Sequence, residues 1–66
     1  MTLEELRALI IAKCKTARRF ASKVGLTESM VSYILSGKKK LYSWNADNFA
    51  KVLGIERSQL DKVVNE

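Results

Sequence analysis

Eight of the chain's twelve cations fall between residues 13 and 40: Lys13, Lys15, Arg18, Arg19, Lys23, Lys38, Lys39 and Lys40. Glu28 is the only acid among them, so this segment carries +7 while the whole chain carries +5 and the remainder −2. The chemistry open to such a segment is electrostatic. Ammonium and guanidinium groups neutralise a polyanion, and nucleic acid is the commonest partner of a one-sided basic stretch. Catalytic chemistry is poorly provided for. There is no histidine, the commonest general base and metal ligand. Serine, glutamate and lysine occur, but no nucleophile, base and orienting group can be assigned to one pocket. Cys14 is the only cysteine, which excludes an internal disulfide and a cysteine-based zinc cluster. The expectation is a protein that is not an enzyme, with no catalytic residue, no cofactor and no metal.

Holding charges on one side needs a folded scaffold. A composition of 47% hydrophobic and 29% charged residues, without low-complexity runs, argues against disorder. Sixty-six residues make one domain, 1–66, with one small core. The longest apolar run, Ala8-Leu9-Ile10-Ile11-Ala12, is flanked by Arg7 and Lys13. It is too short to span a bilayer and reads poorly as a signal peptide. A cytoplasmic protein with no membrane partner is expected, with Cys14 reduced and buried as a small hydrophobe.

Helical spacing runs through nearly the whole chain, strand alternation is absent and there is no proline. The pattern predicts an all-α fold, a compact bundle of five short helices. The first covers 3–13, with Thr2 and Glu5 forming a capping box and Leu3, Leu6 and Ile10 sharing a face. The second covers 17–24, capped by Thr16, with Phe20, Ala21 and Val24 inward. The third follows the cap Thr27 and runs to 36, with Val31, Ile34 and Leu35 buried. The fourth covers 44–53, capped by Ser43, with Phe49, Val52 and Leu53 inward. The fifth covers 57–64, with Leu60, Val63 and Val64 inward. Gly25, Gly37 and Gly54 each follow a helix as its stop.

Residues 17–36 carry the most specific pattern. Ala21 is small where a second helix must cross closely, Gly25 lets the chain reverse, and Leu26 fills the turn from beneath. Phe20, Val24, Val31 and Ile34 join the two helices at a fixed angle. The spacing Phe20-Ala21-x-x-Val24-Gly25-Leu26-Thr27, then Val31, Ser32, Ile34 and Gly37, resembles the helix-turn-helix family of phage Cro proteins and lambda-type repressors. The stretch from Phe49 through Ala50, Lys51, Val52, Leu53 and Gly54 to Ile55 is similar to that family's fourth helix. The likeness covers roughly residues 3–64. Two positions depart from it. The glutamine that often opens the second helix and holds a phosphate is replaced by Ala17, which loses the contact or passes it to Arg18 or Arg19. A common Arg–Glu pair is replaced by Ile10 and Leu35, and an apolar pair in place of a buried ion pair can be equally or more stable.

The resemblance implies a sequence-specific transcriptional regulator of double-stranded DNA, of phage or bacterial type, most like a small stand-alone Cro-like repressor. Its third helix would enter the major groove. The base-reading candidates are then Glu28, Ser29, Met30, Ser32 and Tyr33. Glu28 can accept from cytosine N4, serines can donate or accept, and Met30 or Tyr33 can touch a thymine methyl. Glu28 is explained equally well as an acid in a helix's first turn. No Arg, Asn or Gln stands on this face, so no operator follows and shape readout gains weight. Phosphate contacts are expected from Arg18, Arg19, Thr27, Lys38, Lys39, Lys40 and Ser43, with Lys13 and Lys15 read as plain surface charge.

Trp44 is expected mainly in the core, with a sugar–phosphate contact or a dimer contact as alternatives. Tyr42 is read as surface or interface. Weak homodimerisation, or dimerisation only on DNA, would use the fourth and fifth helices near Ile55, Arg57 and Val64, and no small-molecule ligand is expected. The competing reading is a protein-interaction module on the same scaffold, such as an antitoxin or adaptor.

Overall fold

Three threonines start three helices. Thr2, Thr16 and Thr27 all have extended backbones, and each hydroxyl oxygen accepts the amide three residues on: from Glu5, Arg19 and Met30, each at 3.1 Å. At Thr2 the box is closed by the Thr2 amide donating to Glu5 Oε1 at 2.9 Å. Each cap satisfies a donor that the helix cannot, worth about 1 kcal/mol. These bonds to its carboxylate also hold the Glu5 pKa below the ordinary glutamate value; the Thr2 amide contributes most, then the Thr2 hydroxyl.

The computed structural model describes residues 1–64. Among them are four helices and no strand: α1 (Leu3–Cys14), α2 (Ala17–Val24), α3 (Glu28–Leu35) and α4 (Ser43–Leu53), followed by a 3-10 turn (Arg57–Leu60). α2 packs against each of the other three helices, and the 3-10 turn packs on α4. Phe20 of α2 and Phe49 of α4 meet edge to face at the centre, ring centroids 4.7 Å apart at 85°, and neither is exposed. Such a pair adds roughly 1 kcal/mol to what burial of the rings contributes. Around it lie Leu6 and Ile10 of α1, Val31 and Ile34 of α3, and Leu53 of α4. The departure at Ile10 and Leu35 is accommodated: both are buried, and they line one cleft.

Gly25 links α2 to α3. It sits at φ 77°, where a side chain is strained although nothing lies within 4 Å of an added Cβ. The turn is closed by the Leu26 amide donating to the Ala21 carbonyl at 2.9 Å. α1 is capped at its C-terminal end by Lys15, which takes φ 72° without being glycine. No helix among the described residues is long and apolar enough to cross a membrane.

Three expectations need correction. The fifth helix is only the 3-10 turn Arg57–Leu60 with turns over 61–63. Leu60 and Val63 reach the core three residues apart, the 3-10 period, and the Val63 amide donates to the Leu60 carbonyl at 3.0 Å; Val64 is only half-buried. Ser43 is not a cap. It is the first residue of α4, and the cap is Tyr42, which makes no side-chain bond. Leu41, 1% exposed, is pinned in the core and sets where the chain enters the helix. Trp44 is 64% exposed rather than packed. The buried apolar face of α4 is Ala46, Phe49, Ala50 and Leu53, and Trp44 stands two residues before Ala46, roughly 200° around the helix.

Candidate nucleic-acid interface

Burial of Val31, Ile34 and Leu35 fixes the rotation of α3 and turns its other side outward. Glu28, Ser29, Ser32 and Tyr33 are exposed there, Tyr33 by 44%, while Met30 is half-buried on the flank. Ala17, at the start of α2, shares an open depression of about 300 Å³ with Glu28, Ser29, Ser32 and Tyr33. A methyl group thus stands beside the outward face of α3, where a longer residue would fill the depression.

The lysine loop is built onto the end of α3. The Tyr33 carbonyl accepts from the Lys38 amide at 2.9 Å, the Lys39 amide at 3.2 Å and the Ser36 hydroxyl at 3.1 Å. Leu41 anchors the far end of the loop in the core. Lys38, Lys39 and Lys40 are therefore exposed side chains on a backbone tied at both ends. Lys39 and Lys40 line a groove with Met30 and Trp44, between α3 and the start of α4.

The other cations fall elsewhere. Arg18 and Arg19 are exposed on α2, and Arg19 lines a separate basic pocket with Lys13, Lys15, Ser22 and Lys23 around buried Cys14. Thr27 Oγ1 is occupied as an acceptor by the Met30 amide, leaving its O–H as a donor. Ser43 is half-buried at the first turn of α4.

Charge is segregated. Among the described residues the ion pairs are Arg57–Asp47 at 2.9 Å and Arg57–Asp61 at 2.8 Å, both outside the basic segment. None of the eight cations of 13–40 is paired there, so their field is not cancelled locally. Arg57, considered for a dimer contact, is engaged within its own chain, while Ile55 and Val64 are half-buried. Among the described residues no three His, Cys, Asp or Glu side chains cluster as metal ligands would.

Sequence reasoning missed two residues in this region. Leu41 is an isolated apolar residue after three lysines, and that placement was the available signal. Asn45, 7% exposed, is the one buried polar residue among those described. Nothing in its sequence neighbourhood distinguishes it from a surface asparagine. Comparison with protein-family models, curated proteins and solved structures returned no match to the chain.

Proposed function

We propose that this chain binds double-stranded DNA in a sequence-dependent way as a small transcriptional regulator, with α2 and α3 acting as a helix-turn-helix and α3 lying in the major groove. The observation that carries the reading is one of placement. The outward face of α3 and an unpaired lysine loop are held side by side, by the Tyr33 carbonyl at one end and buried Leu41 at the other. Polar side chains at the start of α3 are then the group that meets base edges, and lysines at its end meet phosphates. The three-residue connection Gly25-Leu26-Thr27 and the packing of α2 on α3 support the same reading.

Glu28, Ser29, Met30, Ser32 and Tyr33 are the proposed base-facing set. Arg18, Thr27, Lys38, Lys39, Lys40 and Ser43 are the proposed phosphate set, with Arg19 more distant because it lines the pocket around Cys14. The regulator would act as a repressor by occupying its site, in weak dimers on DNA. Amide chemical-shift mapping during titration with mixed-sequence duplex tests the assignment. The expected shifts concentrate over 27–33 and 38–44. Shifts confined to 47–61, or none at low salt, would transfer the reading to a protein-interaction module.

A further inference from the structure

The groove between α3 and the start of α4 holds three features, and contact of its lysines with a regular duplex accounts only for the third. The first is aromatic exposure. Trp44 and Tyr42 are 64% and 43% exposed, with ring planes 4° from parallel and centroids 6.2 Å apart. Two aligned flat faces at the mouth of a groove form a stacking platform. The second is Asn45. It lines the groove, is 7% exposed, and its side chain takes part in none of the side-chain hydrogen bonds among the described residues. No buried side-chain nitrogen or oxygen among the described residues lacks a partner, so the unbonded amide atoms of Asn45 are open to solvent at the groove wall, where a ligand can reach them. The third is charge: Lys39 and Lys40 line the same groove, and α4 begins there without a side-chain cap, leaving its first amides as donors.

We propose that this groove binds one unpaired nucleotide, with its base on Trp44 and Tyr42, its base edge on the Asn45 amide and its phosphate on Lys39, Lys40 and the first turn of α4. The chemistry matches part by part. A base offers a flat face to the rings. An amide offers a donor and an acceptor side by side, which pairs with a base edge. The phosphate supplies the anion. A base inside a duplex cannot enter, because both of its faces are stacked and its pairing edge is used, so the ligand is a frayed, flipped or single-stranded residue. An apolar peptide anchor fits less well, since it would leave the amide unbonded and face two ammonium groups. The volume, about 280 Å³, suits a single base. The inference rests on the nucleic-acid reading of the chain and adds a second mode of contact to it.

Trp44 is the only tryptophan, so its fluorescence reports on the groove directly. The intact chain is titrated with a blunt duplex, the same duplex carrying a short single-stranded overhang, a single-stranded oligonucleotide and adenosine monophosphate. Trp44 emission is expected to be quenched by the overhang duplex and the single strand, and much less by the blunt duplex. Trp44→Ala, checked for folding by circular dichroism, is expected to weaken overhang binding roughly tenfold and blunt-duplex binding less than about twofold. Asn45→Ala, if folded, is expected to erase preference among overhang bases; should it not fold, the Trp44 measurements decide alone. Quenching by the monophosphate equal to that by the strand would assign the site to free nucleotides. Absent quenching with strands and monophosphate alike overturns the proposal, and so does equal loss of blunt and overhang binding in Trp44→Ala. If single strands quench but no duplex binds, the groove stands and the duplex reading fails. If duplexes bind and no strand quenches, the groove fails and the duplex reading stands.

Discussion

The amide of Lys38 donates to the carbonyl of Tyr33 at 2.9 Å, fixing the first lysine of the basic loop to the helix that turns Ser29 and Ser32 outward. A loop backbone tied in this way would lose little freedom on meeting a polyanion, because its lysines are carried at a set place beside α3.

Replacing Lys38, Lys39 and Lys40 together by alanine is expected to weaken binding to every duplex to a similar degree. The dependence of log affinity on log salt should flatten by roughly one unit for each phosphate contact removed. Anisotropy titrations of wild type and variant on two unrelated duplexes measure both effects. An unchanged salt slope would take the loop out of the interface.

Ser29→Ala and Ser32→Ala are expected to change preference among sites, by about 1 kcal/mol for a lost hydrogen bond to a base edge, more than affinity for random DNA. Competition between a selected site and mixed-sequence duplex reads the difference. An equal loss on both would show that these hydroxyls do not read bases.

How far the sequence could be read follows from how local each signal is. Thr2, Thr16 and Thr27 stand directly before apolar spacing, and a cap is decided within four residues, so the starts of α1, α2 and α3 are legible. So is the outward face of α3, because Val31, Ile34 and Leu35 fix its rotation. The start of α4 was not legible. Leu41 enters the core, makes Tyr42 the cap and leaves Trp44 outside, and only packing against the other helices decides that. The end of the chain looked helical because Leu60, Val63 and Val64 suit either period, and the short connection after Gly54 settles into a 3-10 turn. Charge was legible as a total, whereas the diversion of Arg19 toward Cys14 and the commitment of Arg57 to Asp47 and Asp61 depend on tertiary placement.

Lys15 holds φ 72° and ψ −40°, a conformation costly for any residue with a Cβ. Lys15→Gly is expected to stabilise the chain by about 1 kcal/mol, raising its melting temperature by roughly 4–8 °C for a domain of this size. Thermal unfolding followed by circular dichroism checks it, and a lower melting temperature would contradict the assigned strain.

Phe49→Ala removes the edge-to-face partner of Phe20 from a fully buried site. The cost is expected to be about 4 kcal/mol, close to the entire stability of a small domain. Urea unfolding should find the variant largely unfolded without denaturant, and a loss below about 1 kcal/mol would mean the core is centred elsewhere.

The Glu5 carboxylate is favoured in the folded chain, chiefly by the Thr2 amide and then the Thr2 hydroxyl. Its folded pKa is depressed, so its stabilisation is complete above the unfolded glutamate value and lost as pH falls through the folded value. Glu5→Gln should therefore melt below wild type at neutral pH, with the gap closing as the solution is acidified below the ordinary carboxylate range. A gap independent of pH would assign the box to hydrogen-bond geometry alone.

The central claim is that this chain is a duplex-DNA binder acting through unpaired lysines beside α3. It is tested most directly by titrating the intact protein into labelled mixed-sequence duplex at several salt concentrations. The account predicts clear binding at low salt and a steep linear fall of log affinity with log salt, as several phosphates are neutralised together. No binding at the lowest salt, or binding indifferent to salt, would contradict it.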